Sequence, residues 1–274
     1  MNITALAENT AGSSGCGYEH GLSLYIETSH HRLLFDTGAS DLFCRNAERL
    51  QIDLSRIDTV VLSHGHYDHG GGLPYFLQMN RTARIFIPPH AFGAFYSMHK
   101  DAPVYIGLPR ELRNNPRLVT ADTVMTIDEE LRLFSGIPSR WPAPSANRRL
   151  KEQIGDILIP DLFSHEQCLA VTENGFTVLF SGCAHHGMRN ILDRFQQLYQ
   201  NAPDAAVSGF HLKQSVYSPE ELQQIKETAA ALKQYSGTRF ITCHCTGEFA
   251  YEQMKKQMNG QLGYLHSGDT VILP

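Results

Sequence analysis

Four side chains that could bind metal lie within six residues of one another, in the run Ser63-His64-Gly65-His66-Tyr67-Asp68-His69. Three imidazoles and a carboxylate would be costly to bury at a strand end unless they shared a partner, and a metal ion is such a partner. His64 and His66 can point the same way from an extended turn and hold one ion. Asp68 and His69, slightly further along, then suit a second ion.

The ligand types also restrict the metal and the chemistry. Imidazole nitrogens combined with a carboxylate favour zinc, iron or manganese over magnesium or calcium. We therefore expect two divalent transition-metal ions, zinc in the first place, with iron or manganese as alternatives. Two such ions would lower the pKa of a bound water and stabilise negative charge on a substrate oxygen. The motif thus predicts a hydrolase, or a related transferase, that uses a metal-activated water.

Alternating strands and helices must position this motif. A compact β-branched strand is predicted over 58–63, directly before His64. Later strands, predicted over 176–180, 205–209 and 239–243, end in turns that carry His185, His211 and His244. Helices are predicted over 189–200 and 248–258, and Ser218-Pro219-Glu220-Glu221 is a helix-initiating capping box. This pattern predicts an α/β fold, an αββα sandwich of two mixed β-sheets with outer helices, in a single domain over 1–274.

The motif around His64 resembles the signature of the metallo-β-lactamase superfamily, and the resemblance extends over nearly the whole chain. It implies further metal ligands at later strand ends, where His185 and His244 are the best placed. It also implies that Asp36 orients a metal-binding imidazole through the second ring nitrogen. Where the superfamily usually has a metal-bridging aspartate, this sequence has Cys183. Either water alone bridges the ions, or Cys183 binds one of them as a thiolate, or it is a small buried residue.

Further motifs look like those of the subfamily named after dihydropterin–ribofuranosylaminobenzene-phosphate synthase, an enzyme of methanopterin biosynthesis. They occur in this order: Glu19-His20-Gly21-Leu22-Ser23, Phe35-Asp36-Thr37-Gly38, Ser63 to His69, Gly182-Cys183-Ala184-His185, Gly209-Phe210-His211-Leu212 and Cys243-His244-Cys245-Thr246-Gly247. The resemblance implies a phosphate-bearing small molecule as substrate, such as a pterin or a ribofuranosyl-aminobenzene phosphate. Ser208 departs from the subfamily pattern, in which a glycine is common at that position.

Catalytic roles are expected for two of these residues. Asp68 would orient the attacking water while it binds a metal. His211 follows an apolar strand, as the expected ligands do, and we favour it as the acid that assists the leaving group. Metal ligation and a core histidine are the alternatives for His211. Cys243 and Cys245 would point away from His244 in an extended backbone, so a Cys-His-Cys zinc site is not expected.

The segment 136–151 has an unusual composition, with three prolines, the only tryptophan, four basic residues and no acid. We interpret it as a loop insertion over the site. Arg140, Arg148 and Arg149 are candidates to bind a substrate phosphate, and Trp141 to stack on an aromatic ring. The alternative is a solvated surface loop.

Composition excludes several classes of partner. The chain has 274 residues, of which 42% are hydrophobic and 19% charged, with a net charge of −5. These values are typical of a globular enzyme and argue against a dedicated nucleic-acid or membrane-surface binder. We expect an anionic small-molecule substrate, and the oligomeric state is not predicted. Six scattered cysteines and an N-terminus unlike a signal peptide favour a cytoplasmic location.

Three other functions are compatible with the ligand set. The same centre could hydrolyse a lactone or a thioester. It could also be an iron-based redox centre, although no flavin or iron–sulfur motif accompanies it. A non-catalytic ligand-binding or metal-sensing module is the third alternative. β-Lactam hydrolysis is not expected, because the sequence shows no secretion signal. No serine nucleophile elbow or Walker loop is present in the sequence.

Overall fold

The computed structural model describes residues 1–100 and 102–274. Its strands, in chain order, are β1 (Asn2–Ala7), β2 (Ser23–Glu27), β3 (Arg32–Phe35), β4 (Thr59–Val61), β5 (Arg84–Ile87), β6 (Phe95–Met98), β7 (Pro103–Tyr105), β8 (Leu118–Thr120), β9 (Val124–Thr126), β10 (Leu131–Phe134), β11 (Leu150–Ile154), β12 (Ile157–Pro160), β13 (Cys168–Glu173), β14 (Phe176–Phe180), β15 (Ala205–Ser208), β16 (Arg239–Thr242), β17 (Leu262–Tyr264) and β18 (Thr270–Ile272). The α-helices are α1 (Leu42–Arg49), α2 (Tyr67–Gly70), α3 (Leu73–Met79), α4 (Met188–Tyr199), α5 (Pro219–Lys233) and α6 (Glu248–Met258). None of the described helices is both long and apolar enough to cross a membrane.

Two mixed seven-stranded sheets form the centre of the fold. The first has the strand order β18-β1-β2-β3-β4-β5-β8 and the second the order β17-β16-β15-β14-β13-β10-β9. In the first sheet, the strands from β3 to β8 are parallel and the others antiparallel. In the second, the strands from β14 to β17 are parallel. Parallel strands need crossover connections, which places helices on the outer faces of the sheets.

Strand periodicity explains the layers. In β3, Leu33 and Phe35 face the opposite sheet, whereas Leu34 packs against the outer helices, because successive side chains point to opposite faces of a strand. Phe35 meets Phe180 of the second sheet with ring centroids 5.8 Å apart. Helices α1 and α3 cover the first sheet, and α4, α5 and α6 cover the second. The predicted αββα sandwich is confirmed.

A third, four-stranded sheet of order β12-β11-β6-β7 was not predicted. Its strands lack a regular alternation of buried and exposed side chains, and β7 is exposed throughout. The predicted loop over 136–151 was also too long. Ser145–Arg149 forms a 3-10 helix, and Leu150 already belongs to β11, where it pairs with Ser97.

Backbone strain is concentrated at the carboxyl ends of the central strands. Asp36 after β3, Ala184 after β14, His211 after β15 and His244 after β16 have φ values of 60°, 51°, 50° and 52°. Residues other than glycine rarely adopt this left-handed region, and such strain tends to occur at functional sites. We therefore expect the functional site at these strand ends.

Candidate metal centre

A first group of imidazoles gathers at the ends of β4 and β14. The Nε2 atoms of His64 and His185 lie 3.3 Å apart. The ring centroid of His66 lies 4.6 Å from that of His64 and 5.1 Å from that of His185. All three side chains are buried. The structure thus brings together three histidines that are up to 121 positions apart in the chain.

A second group lies beside the first. The Nε2 atoms of His69 and His244 lie 3.2 Å apart, and Oδ2 of Asp68 lies 3.5 Å from His244 Nε2 and 3.8 Å from His69 Nε2. The sulfur of Cys183 lies 3.2 Å from His69 Nε2 and within 4.8 Å of the donor atoms of His64 and His185. Cys183 is therefore in contact range of both groups.

Two asparagines fix the neutral tautomers of His185 and His244. Asn147 donates its Nδ2 to the carbonyl oxygen of His185 at 2.7 Å, so its Oδ1 accepts from His185 Nδ1 at 2.9 Å. Oδ1 of Asn9 accepts from the backbone of Gly21 and lies 2.8 Å from His244 Nδ1. In both neutral rings the proton is on Nδ1 and the lone pair on Nε2.

Asp36 and Ser63 orient the rings of His69 and His64. Oδ2 of Asp36 lies 2.6 Å from His69 Nδ1. Ser63 donates its hydroxyl to Asp36 at 2.7 Å, so the same oxygen accepts from His64 Nδ1 at 2.9 Å. Asp36 thus lies where a residue that orients a metal-binding imidazole is expected.

This arrangement fits metal ions. In the first group the Nε2 lone pairs of the neutral His64 and His185 rings face one another at 3.3 Å and cannot form a hydrogen bond between them without a cation. In the second group the Nε2 atoms of His69 and His244 lie at a similar separation of 3.2 Å. Nitrogen ligands at about 2.0–2.1 Å from a tetrahedral zinc ion lie roughly 3.3 Å from each other. The donors therefore suit one ion held by His64, His66 and His185, and another held by Asp68, His69 and His244.

The protonation states of the histidines differ between the two groups. Burial, reinforced by the neighbouring imidazoles, holds the pKa values of His64 and His185 well below the usual range, which leaves the neutral, metal-binding form at pH 7. Burial would also lower the pKa of His69, but the carboxylates of Asp36 and Asp68 outweigh it and raise that pKa to about 9. A proton therefore competes with an ion for His69.

Sequence reasoning missed a buried network behind His66. His66 Nε2 has no hydrogen-bond partner among the residues that the structure describes, and it lies 3.7 Å from Oδ2 of Asp161. Asp161 is bound by His165 Nε2 at 3.0 Å, and His165 Nδ1 accepts from the backbone of Gly65 at 3.0 Å. Burial opposes ionisation of Asp161, but the hydrogen bond from His165 and the nearby imidazole of His66 lower its pKa. The sequence feature that could have indicated this network is the run Asp161-Leu162-Phe163-Ser164-His165-Glu166, shortly before β13.

Residues of both groups, His66 and His185 of the first and Asp68 and His244 of the second, line a cavity of about 430 Å³. His211 also lines it, with its ring centroid 4.4 Å from that of His185 and its buried Nδ1 without a hydrogen-bond partner among the described residues. Cys245 also lines the cavity. The prediction that Cys245 points away was wrong, because the backbone is not extended there: a 3-10 turn begins at His244.

Only one of the residues in 136–151 that were predicted to bind substrate lies at the cavity. Arg149 lines it and has no acidic partner among the described residues, and Lys213, which was not predicted, belongs to the same lining. The other three lie outside the lining, held by helices α4 and α5. Arg148 pairs with Glu220, Trp141 donates to Asp193 at 2.9 Å and packs against Arg189, and the backbone of Arg140 donates to Asn190. Of the four residues predicted to contact the substrate, only Arg149 lines the cavity.

Comparison with known proteins agrees with the geometry. A family model described as the metallo-beta-lactamase superfamily matches residues 17–221. The 7,8-dihydropterin-6-methyl-4-(beta-D-ribofuranosyl)-aminobenzene-5'-phosphate synthase of Methanocaldococcus jannaschii is 26% identical over 99% of this chain and 96% of its own length. The solved structure of Tm1679, a metal-dependent hydrolase of the beta-lactamase superfamily, is 29% identical with a TM-score of 0.83, covering 100% of this chain and 99% of its own. PqqB from Methylobacterium extorquens shares the fold, with 13% identity, a TM-score of 0.58 and full coverage of both chains.

Proposed function

The chain belongs to the metallo-beta-lactamase superfamily, and from this membership we propose a dinuclear metallohydrolase, or a related transferase, that acts on a phosphate-bearing small molecule. One observation carries the proposal. Two pairs of facing imidazole nitrogens, 3.3 Å and 3.2 Å apart, lie beside a cavity whose lining includes two cations, Arg149 and Lys213, without an acidic partner among the described residues.

The ligands are divided between the two groups. His64, His66 and His185 would hold one ion, and Asp68, His69 and His244 the other. The sulfur of Cys183 lies within 4.8 Å of donor atoms in both groups. Zinc suits the imidazole nitrogens and the cysteine sulfur, and iron or manganese are alternatives. When bound, the ions would lower the pKa of a water molecule and polarise a phosphoryl oxygen.

The remaining residues would bind the substrate and handle its protons. Arg149 and Lys213 line the cavity, and we infer that they attract the negative charge of a phosphate group. Asp68 is ionised, because the imidazoles of His69, His244 and His20 outweigh the effect of burial and lower its pKa. It would accept a hydrogen bond from the attacking water. His211, beside His185, would donate a proton to the oxygen of the leaving group.

The substrate class rests on two supports. The relative from Methanocaldococcus jannaschii is named for an aminobenzene phosphate product. The cavity volume of about 430 Å³ is in the range of small-molecule sites, and it is wide enough for a ring with an attached phosphate. We therefore propose a pterin phosphate or a ribofuranosyl-aminobenzene phosphate as the substrate. The unpaired cations favour this class over an uncharged lactone or thioester.

A substrate panel tests the proposal. Zinc-loaded protein is assayed against phosphate monoesters, phosphate diesters, a pterin phosphate, a lactone and a thioester, with His185→Ala as the metal-ligand variant. We expect metal-dependent turnover of at least one phosphate ester and its loss in His185→Ala. Turnover confined to lactones or thioesters, or none that depends on metal, would refute the proposal.

A further inference from the structure

The 3-10 helix Ser145–Arg149 places one amide group against a metal-site histidine. Both polar atoms of the Asn147 side chain bind His185: Nδ2 donates to its backbone carbonyl at 2.7 Å, and Oδ1 accepts from ring Nδ1 at 2.9 Å. The two bonds hold the backbone and the ring of the same residue. His185 Nε2 is thereby directed at His64 Nε2, 3.3 Å away.

The segment that carries Asn147 is hydrogen-bonded to two of the helices that cover the second sheet. The backbone of Ser145 donates to Gln224 of α5 at 2.9 Å, and Gln224 donates back to the carbonyl of Ala143 at 3.1 Å. Further back, the backbone nitrogens of Arg140 and Trp141 donate to Asn190 of α4. The position of Asn147 therefore depends on how this segment packs on α4 and α5.

We propose that Asn147 is a positioning residue, which keeps the Nδ1 proton on His185 and so leaves Nε2 free to bind the first ion. A neutral imidazole without such a partner distributes its proton over both nitrogens and can rotate. His185 has no alternative acceptor for Nδ1 among the described residues. The inserted segment thus belongs to the metal centre itself, and the inference rests on the proposed dinuclear site.

The structure offers a matched control at the second group. Asn9 presents its Oδ1 to Nδ1 of His244 at 2.8 Å, which is the same contact made to a ligand of the other ion. Removing either amide should lower the affinity for one ion and leave the affinity for the other unchanged. Arg148, next to Asn147 in the same 3-10 helix, contacts Glu220 and not His185, so Arg148→Ala controls for disturbance of the helix.

The first test reads the tautomer directly. Long-range ¹H–¹⁵N spectra of the ring nitrogens are recorded at pH 8 on chelator-treated protein, with the His185 signals identified by their absence in His185→Gln. We expect a single Nδ1-protonated form in the wild type and in Arg148→Ala, and a mixture of tautomers in Asn147→Ala. Asn147→Asp keeps an acceptor and should keep the single form. An unchanged tautomer in Asn147→Ala would overturn the proposal.

The second test measures metal release to a chromogenic chelator. Because loss of such a partner typically costs about 10–100-fold in metal affinity, Asn147→Ala should lose one of its two zinc ions correspondingly more readily, and Asn9→Ala the other. Thermal unfolding of both variants verifies that they are folded. Equal loosening of both ions in Asn147→Ala would point to a general structural effect and contradict positioning. If the wild type binds no zinc, the proposed function is refuted. The tautomer test would still decide the role of Asn147.

Discussion

Arg148 and Arg149 are adjacent in the chain, yet only Arg149 lines the cavity above the metal-site histidines. Arg148 points to the outer surface and forms an ion pair with Glu220 of α5. Both side chains are exposed, but Arg149 has no acidic partner among the described residues. The two arginines therefore form a natural pair for testing whether the cavity binds an anion.

Replacing Arg149 with alanine should weaken binding of phosphorylated substrates. Loss of one charged hydrogen bond costs about 1.5–3 kcal/mol, so we expect KM to rise about tenfold or more. Metal content should stay unchanged, because Arg149 is not among the metal donors. Steady-state kinetics and elemental analysis measure both quantities. Arg148→Ala is the control, and similar kinetics for the two variants would argue against anion binding by Arg149.

The protein should bind two transition-metal ions per chain. Elemental analysis of protein purified without chelator and supplied with zinc should give a ratio near two, because the six donors exceed the four that one tetrahedral ion accepts. His66→Ala and His244→Ala should each reduce that ratio by about one, since they remove ligands from different groups. A single ion in the wild type would contradict the dinuclear assignment.

Cobalt should report whether Cys183 binds metal. Burial raises the pKa of the Cys183 thiol, and only a directly bound cation would offset that cost and favour the thiolate. If it does, the cobalt-substituted protein should show a sulfur-to-metal charge-transfer band in the near ultraviolet, and Cys183→Ser should abolish it. Cys243→Ser is the control, because Cys243 is buried in the core between the sheets. A band that survives in Cys183→Ser would assign the sulfur ligand elsewhere.

The strand-end histidines could be predicted from local sequence, and their partners could not. His64, His66 and His69 lie within one short motif, and their types and spacing alone indicate metal. The residues that orient imidazoles are remote: Asn9 is 235 positions from His244, and Asn147 is 38 from His185. A lone asparagine has no sequence pattern, so only the fold reveals such a pairing.

The fold shows the same division between local and long-range information. Strand β14 was predicted with its observed bounds, because it is a short apolar run between turn residues. The third sheet was missed because its strands are stabilised by pairing with one another and bury few side chains. Its existence depends on contacts between distant segments, such as the pairing of Leu150 with Ser97.

Close packing behind His64 gives a prediction about stability. A methyl group added at Gly182 would lie 2.2 Å from Ser63 Oγ and 3.2 Å from His64 Nδ1, in the hydrogen-bonded chain that orients His64. Gly182→Ala should therefore lower the free energy of unfolding by about 1–3 kcal/mol and reduce metal content. Gly237→Ala, where no atom lies within 4 Å, is the control and should change little. Urea denaturation measures the difference, and equal stability of the two variants would mean that Ser63 can move freely.

Binding of phosphate should slow release of the ion held by His185. Arg149 and Asn147 lie in the same 3-10 helix, so an anion bound by Arg149 would hold in place the amide that orients His185. Coupling between two such sites is typically about 1–3 kcal/mol, or roughly 5–150-fold in affinity, and it acts equally in both directions. We therefore expect inorganic phosphate to slow removal of zinc by a chelator in the wild type, and zinc to tighten phosphate binding measured by calorimetry.

Both effects should be lost in Arg149→Ala and in Asn147→Ala and retained in Arg148→Ala. Phosphate that bound the ions directly, without Arg149, would slow release equally in all four proteins. That result would show that phosphate affects metal release without the 3-10 helix Ser145–Arg149. The proposed coupling between Arg149 and the ion held by His185 would then be wrong.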